Sequence, residues 1–287
     1  MSLKILTLPY DMIYEMIHHL TICDLIHFCQ SNQSYYQLFQ DDYLWQLTFE
    51  QHYAETHMVL CQSMTWFTMI QLCYGLVILK QKFSINHSIK SLYEFKYIDL
   101  AHIKLKSIPH VLCYLNQLQQ LHLENNKLKL ISPKLGHLNQ LQKLNLSYNQ
   151  LKSIPPELGN LQQLIEFDLS GNDLTTIPSE LGNLHQLQTL YLSHNQLKSI
   201  PLELGNLHQL YHLVLLHNQL TFIPPELGNL NQLRKLFLYN NQLTVIPLEL
   251  GNLHLLNYID LRHNPLHATK QQIQQLFNLN HFVIISM

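Results

Sequence analysis

Residues 141–161 read LQKLNLSYNQLKSIPPELGNL, and the same frame returns every 23 residues along most of the chain. Further units begin at Leu118, Leu164, Leu187, Leu210, Leu233 and Leu256. A degenerate unit starts near Phe95 and has Ile103 where the others carry Asn. The second unit departs in a smaller way, because Ile131-Ser132-Pro133 replaces its Ile-Pro step. Eight units in register predict a repeat architecture in which each unit buries its apolar side chains against its neighbours.

The spacing inside one unit predicts its local structure. Leu144 and Leu146 alternate with polar residues, which is the pattern of a short strand with one buried face. Asn149 follows, and its amide can bond the backbone of a turn and of the next coil. Pro155 cannot donate a ladder hydrogen bond, so we expect the chain to leave the sheet at the Ile-Pro step.

The consensus LxxLxLxxNxLxxIPxxLGNL resembles that of the leucine-rich-repeat family, and it covers about two thirds of the chain. The resemblance implies an α/β fold, a solenoid of about eight repeats over residues 95–266 with a curved parallel sheet. The end of such a solenoid exposes its core unless it is capped. We expect residues 267–287 to form that cap, with an amphipathic helix over Thr269–Asn278 that turns Ile273, Leu276 and Phe277 inward. The segment His281–Met287 should complete this cap.

The N-terminal segment has a different pattern. Apolar residues recur at helical spacing from Leu8 to Leu20, and Pro9 lies in the first turn, where a missing N–H does no harm. Two more short helices are predicted, from Asp24 and from about Ser34 to Leu47. Three helices in so short a segment form a small core, so we expect them to lean on the helices of residues 51–94.

Residues 1–50 resemble an F-box, the module that docks onto the Skp1 subunit of cullin–RING ubiquitin ligases. The resemblance rests on Leu8-Pro9, the following apolar run, Asp24-Leu25, Tyr35, and Asp41-Asp42 with Leu44-Trp45. Ser31-Asn32 departs from the family pattern at a packing position. The resemblance implies that Skp1 contacts these residues: Leu8, Pro9, Ile13, Met16, Ile17, Leu20 and Leu25.

Another interpretation of residues 1–92 is a purely helical cap that covers the first repeat. An amphipathic run of Leu and Ile is more often core than docking surface. The two roles are compatible, since one segment can dock a partner and shield a solenoid end.

The composition restricts the classes of partner and the compartment. A net charge of -2 offers no electrostatic footprint for nucleic acid. Five cysteines without zinc spacing favour a reducing compartment, and the N-terminus lacks signal-peptide features, so we expect a cytoplasmic protein. Met64–Leu79 is apolar but shorter than a bilayer span of about 20 residues, and we expect a buried helix there.

The outward strand positions suggest where a partner binds. In the fifth to seventh units they carry five apolar residues, whereas earlier units carry small or polar ones. Adjacent strands lie about 4.8 Å apart, so these five side chains should form one patch, with Arg262 and Lys235 at its edge. The predicted target-binding residues are Tyr191, Val214, Leu216, Phe237, Tyr239 and Arg262. Loose drift of repeat residues is the alternative.

No catalytic constellation, phosphate loop or cofactor motif appears in the sequence. His194 and His217 occupy equivalent positions of adjacent units, but no carboxylate or cysteine completes a ligand set, so we expect no metal site. We therefore expect no enzyme and no cofactor.

Together with the F-box resemblance, these features suggest the substrate-recognition subunit of an SCF-type ubiquitin ligase. It would bind Skp1, with its cullin complex, and an unknown target protein. The composition, which is typical of an AT-rich genome, also fits a bacterial or viral effector that acts in the host cytoplasm. The alternative is a leucine-rich-repeat scaffold without a ubiquitin role, for example one that engages small GTPases, with a helical N-cap.

Overall fold

The computed structural model describes residues 96–277 and 284–286. The chain separates into two compact units, and the described residues belong almost entirely to the second, which comprises Phe95–Ile108 and Leu112–Met287. The predictions for residues 1–50 and 51–94, including the helix over Met64–Leu79 and all seven Skp1-docking residues, lie outside the described residues.

The second unit contains one sheet of short parallel strands in sequence order. Successive strands pair in register at the 23-residue offset of the repeat, as in Leu121↔Leu144 and Leu144↔Phe167. This geometry confirms the predicted leucine-rich-repeat solenoid. The strands are β1 (Tyr97–Asp99), β2 (Gln120–His122), β3 (Lys143–Asn145), β4 (Glu166–Asp168), β5 (Thr189–Tyr191), β6 (His212–Val214), β7 (Lys235–Phe237), β8 (Tyr258–Asp260) and β9 (Ile284–Ser286).

The core consists of the consensus leucines, stacked in columns from coil to coil. Leu141, Leu144, Leu146, Leu151 and Leu158 of the quoted unit are all essentially inaccessible to solvent. A typical strand, such as β3, β6 or β7, buries its central residue and exposes or half-exposes the residues on either side. The sheet therefore has one buried face and one open face, and we refer to the open side as the concave face.

The repeated asparagines form a hydrogen-bonded ladder, as the sequence predicted. Asn172 is representative: its Nδ2 donates to the carbonyl oxygens of Leu146 at 3.1 Å and Leu169 at 3.0 Å. Its Oδ1 accepts from the Leu151 N–H at 3.1 Å. One amide thus satisfies backbone groups of two coils that would otherwise be buried without partners.

Opposite the sheet, each Ile-Pro step leads into a 3-10 helix of five residues. Pro155 is extended (ψ 144°) and precedes the helix Pro156–Asn160, so the chain does leave the sheet there. In the second unit Ser132 takes this position, and its hydroxyl accepts a hydrogen bond from the Lys134 N–H at 3.4 Å. The helices are His110–Tyr114, Pro133–His137, Pro156–Asn160, Ser179–Asn183, Leu202–Asn206, Pro225–Asn229 and Leu248–Asn252.

The C-terminal segment closes the last repeat by two elements. Helix α1 spans Lys270–Leu276, shorter than predicted, because Thr269 is its N-cap and forms a capping box with Gln272. Ile273 and Phe277 are buried as expected, but Leu276 is only half-buried. Within the segment His281–Met287, strand β9 pairs with β8 and extends the sheet, although the sequence pattern predicted no strand there.

Candidate functional site

The concave face carries the five apolar residues that the sequence singled out. Tyr191, Val214 and Phe237 are register partners on β5, β6 and β7, so they lie side by side. Leu216 and Tyr239 follow two residues further along the chain, on the same side of the coil. The fully buried leucines Leu190, Leu213 and Leu236 lie behind them. We call Tyr191, Val214, Leu216, Phe237 and Tyr239 the apolar patch.

The patch residues are half-buried, whereas the sequence led us to expect that they face solvent. Their rings cover one another and neighbouring rings. The Phe237 and Tyr258 ring centroids lie 5.2 Å apart, and Tyr239 makes edge contacts at 5.0 Å with both His217 and His263. Sequence reasoning missed Tyr258, although it occupies the outward position that precedes the buried residue of β8. These contacts hold the patch as an ordered surface before any partner arrives.

Arg262 is less free than its position at the edge of the patch suggested. Its Nη2 and Nε donate to the Asp260 carboxylate at 2.6 Å and 3.0 Å, and its Cζ lies 5.3 Å from the Tyr239 ring centroid. Burial alone would raise the pKa of Asp260, but these hydrogen bonds and the guanidinium charge outweigh it and lower that pKa. The same pairing raises the pKa of Arg262. Arg262 is therefore a fixed guanidinium plane beside Tyr239, and its charge is already paired with Asp260.

His194 and His217 stack on each other, with ring centroids 4.3 Å apart and an interplanar angle of 14°. Both lie in the left-handed turn after their strands, with φ of 54° and 53°. Asn240 Nδ2 lies 2.7 Å from His217 Nδ1. Burial and the neighbouring His194 lower the pKa of His217. The stacked rings border the patch, and among the described residues no group of three His, Cys, Asp or Glu is placed to hold a metal ion.

Acidic residues lie on the strands at the other end of the concave face, but part of their charge is already compensated. The Lys143 Nζ lies 3.0 Å from Glu166 Oε2, and the His122 Nδ1 lies 3.7 Å from Glu124 Oε2. Burial raises the pKa of Asp168, although hydrogen bonds from Ser170 oppose the shift. The acidic end therefore attracts a basic partner less strongly than its four carboxylates, Asp99, Glu124, Glu166 and Asp168, suggested.

A groove that the sequence did not reveal lies beside the patch. It has a volume of about 530 Å³, and Tyr211, His212, Arg234 and Lys235 contribute to its lining. Two of these residues precede β6 and β7, in loop positions that strand alternation does not assign to a face. For this reason the sequence placed only Lys235 near the site.

The family matches agree with this geometry. A model described as leucine rich repeat matches residues 139–197 and 208–266, and a second, for two copies of the repeat, matches residues 185–229. The described repeats are thus a leucine-rich-repeat domain. No curated protein matches the chain.

Solved structures with similar repeats come from a bacterium and from plants. The leucine-rich-repeat protein LIC12759 of Leptospira interrogans is 29% identical over 67% of this chain and 60% of its own, with a TM-score of 0.42. The plant peptide hormone receptor RGFR1, solved in complex with RGF2, is 38% identical with a TM-score of 0.53. The receptor kinase GASSHO1/SCHENGEN3 of Arabidopsis thaliana, solved with CASPARIAN STRIP INTEGRITY FACTOR 2, is 42% identical with a TM-score of 0.52.

Each plant receptor matches 56% of this chain, but that match spans only 27% and 20% of the receptors themselves. The similarity therefore concerns a stack of repeats and not the whole receptor. Among the residues that the structure describes, no helix has the length and apolar character needed to cross a bilayer.

Proposed function

We propose that the concave face of the repeats binds a target protein, and that the N-terminal segment joins this target to an SCF-type ubiquitin ligase. The observation that carries the binding role is the apolar patch, which spans three consecutive strands and is bounded by a fixed guanidinium. A contiguous apolar surface on an otherwise polar face usually marks an interaction site. Tyr, Phe and Arg are also enriched in protein interfaces, and Tyr and Arg in particular supply much of the binding energy.

The plant receptors support this role by analogy. RGFR1 and GASSHO1/SCHENGEN3 were each solved with a bound ligand, and their repeats are 38% and 42% identical to the matched part of this chain. A stack of such repeats offers a long, rigid surface on which successive strands each contribute a few side chains. The concave face of this chain has the same construction, with strands in register from β1 to β8.

The ubiquitin-ligase role rests on the F-box resemblance of residues 1–50. In this proposal Skp1, with its cullin complex, binds through Leu8-Pro9 and the apolar residues that follow, and the chain itself performs no chemistry. It contributes proximity, because holding the target on the same assembly turns a bimolecular transfer into an effectively intramolecular one. The protein acts in the cytoplasm, or in the host cytoplasm if its source is a bacterium or virus.

A second candidate is a leucine-rich-repeat binding module with no ubiquitin role and a helical N-cap. It is favoured by the extent of the family matches, which lie within residues 139–266 and do not include the N-terminal segment. The two candidates share the target site on the concave face and differ only in what residues 1–50 bind.

Co-purification with Skp1 separates them. If the segment docks Skp1, Leu8→Ala with Pro9→Ala removes apolar contacts of the interface, and we expect Skp1 recovery to fall at least about tenfold, a change of about 1.4 kcal/mol. The matched control is Leu202→Ala with Pro225→Ala, which changes the same residue types at exposed positions of the repeats. Melting temperatures of both variants verify folding. Equal Skp1 recovery by wild type and the docking variant, or no recovery by wild type, would contradict the SCF role.

A further inference from the structure

The groove beside the apolar patch concentrates positive charge. Arg234 and Lys235 are both exposed, and among the described residues neither forms an ion pair. They are close in the chain to the patch, because Lys235 begins β7 and Phe237 ends it. Arg234 is one of two arginines in the sequence, and the other, Arg262, is already bound to Asp260.

The third basic group of the groove is His212, the register partner of Lys235 on β6. Its ring lies against Tyr211, with centroids 4.7 Å apart. Burial lowers the pKa of His212, and so do the charges of Lys235 and Arg234. The two cations therefore act on the same space as the imidazole, and an anion in that space would relieve their mutual repulsion.

The rest of the lining suits the same kind of ligand. Four amide side chains complete it, among them Gln188 and Gln232, and no Asp or Glu of the described residues takes part. Amide N–H groups and a guanidinium are hydrogen-bond donors for an oxyanion, and a guanidinium can bind two oxygens of a phosphate at once. A phosphate monoester carries a charge of about -1.5 to -2 at neutral pH, which two cations match better than they match a carboxylate.

The distance between groove and patch defines the ligand further. Lys235 and Phe237 point to the same side of β7 and are two residues apart, roughly 6.6 Å. His212 and Val214 have the same relation on β6. An extended peptide also presents its side chains i and i+2 on one side at this spacing. Such a peptide can therefore place an anionic group in the groove while an apolar side chain two residues away contacts the patch.

We propose that the groove lined by Arg234, Lys235 and His212 binds a phosphoserine or phosphothreonine of the target, with an apolar residue two positions away on the apolar patch. This inference rests on the proposed target site and specifies its ligand. A target of this kind is recognised after phosphorylation, through a basic pocket that reads the phosphate and an apolar surface that reads its neighbour.

The test uses the full chain, immobilised, and three degenerate peptide pools with a fixed central phosphoserine, serine or glutamate. We expect the wild type to retain the phosphoserine pool at least about tenfold more than the serine pool, with apolar residues enriched two positions from the phosphate. Arg234→Gln with Lys235→Gln should abolish the preference. The control Lys152→Gln with Lys198→Gln removes the same charge from exposed sites elsewhere and should retain it.

Each other outcome overturns the inference. Equal retention of the phosphoserine and serine pools means that the groove does not bind phosphate, and equal retention of the glutamate pool means that it reads charge alone. An equal effect of the control variant would assign the preference to net charge. Failure of the target site itself is recognised separately: Phe237→Ser with Tyr239→Ser should abolish only the apolar enrichment, so the phosphate preference is measured independently of the patch.

Discussion

The consensus asparagine shows why one residue type recurs at one position. Its amide both donates and accepts, so Asn172 can bond two carbonyl oxygens and one N–H of the surrounding coils. Aspartate would lack the donor, and leucine would lack both functions. Because the residue is only 6% exposed, water does not readily replace these bonds. The ladder is therefore a requirement of the coil-to-coil backbone geometry.

Replacing Asn172 with Ala should lower the free energy of unfolding by on the order of 3 kcal/mol, because the change leaves several buried backbone groups without partners. The control is Asn183→Ala in the same repeat, where the asparagine is exposed to solvent. Chemical denaturation of both variants gives the comparison. If Asn172→Ala is no more destabilising than Asn183→Ala, the ladder does not stabilise the solenoid.

At this scale the sequence predicted which residues share a face, but not how they pair. Alternation placed Asp260 and Arg262 on the concave face, yet it could not show that their side chains bind each other and leave Asp260 only 3% exposed. The same limitation applies to His194 and His217, whose stacking depends on the turn conformation after each strand. Side-chain pairing across strands depends on rotamers, which periodicity does not encode.

Among the elements, the 3-10 helices set the distance between coils. The glycine of each LGN step lies against the backbone of the next helix: a Cβ on Gly205 would be 2.4 Å from the carbonyl oxygen of Glu226. Only a hydrogen fits in that space. The leucines beneath can stack as closely as they do because the helices approach without side chains between them.

Gly205→Ala should therefore destabilise the domain by about 1–3 kcal/mol, as overpacking does when backbone must shift. Ser179→Ala is the control, since it places an alanine at an exposed position of an equivalent 3-10 helix. Thermal melts of the two variants provide the measurement. A Gly205→Ala variant as stable as the Ser179→Ala variant would show that neighbouring coils can separate at little cost.

The repeat elements were predictable because each unit has the same pattern, whereas the C-terminal cap was predictable only in part. The apolar spacing of residues 269–278 indicated a helix, and the structure has one at Lys270–Leu276. Strand β9 was missed because its pairing with β8 lies outside the repeat frame. The groove was missed for a related reason: it forms between loop positions of successive coils, and such a volume depends on the stacking of whole units.

Across the whole domain, the concave face has three regions. Partly compensated carboxylates lie on β1 to β4, the apolar patch covers β5 to β7, and the basic groove lies beside that patch. In a solenoid each repeat contacts only its neighbours, so a change on one surface region leaves distant coils intact. The binding role of each region can therefore be tested by local substitutions.

The central claim is that the apolar patch holds the target protein, and proximity labelling tests it most directly. Phe237→Ser with Tyr239→Ser removes two rings of the patch, and the absence of their aromatic packing should lower stability by about 0.5–1.5 kcal/mol. The matched control is Phe222→Ser with Val245→Ser, two apolar residues that are 52% and 64% exposed outside the patch. Partners labelled by wild type and by both variants are compared by quantitative mass spectrometry, with Skp1 as an internal reference for the N-terminal segment.

The account predicts that recovery of target proteins falls at least about tenfold with Phe237→Ser/Tyr239→Ser, because truncation of buried interface aromatics typically costs about 2 kcal/mol or more. Recovery of Skp1 should stay unchanged in the same sample, and the control variant should label the same targets as wild type. If the patch variant labels the same partners at the same yield as wild type, the apolar patch is not the target site.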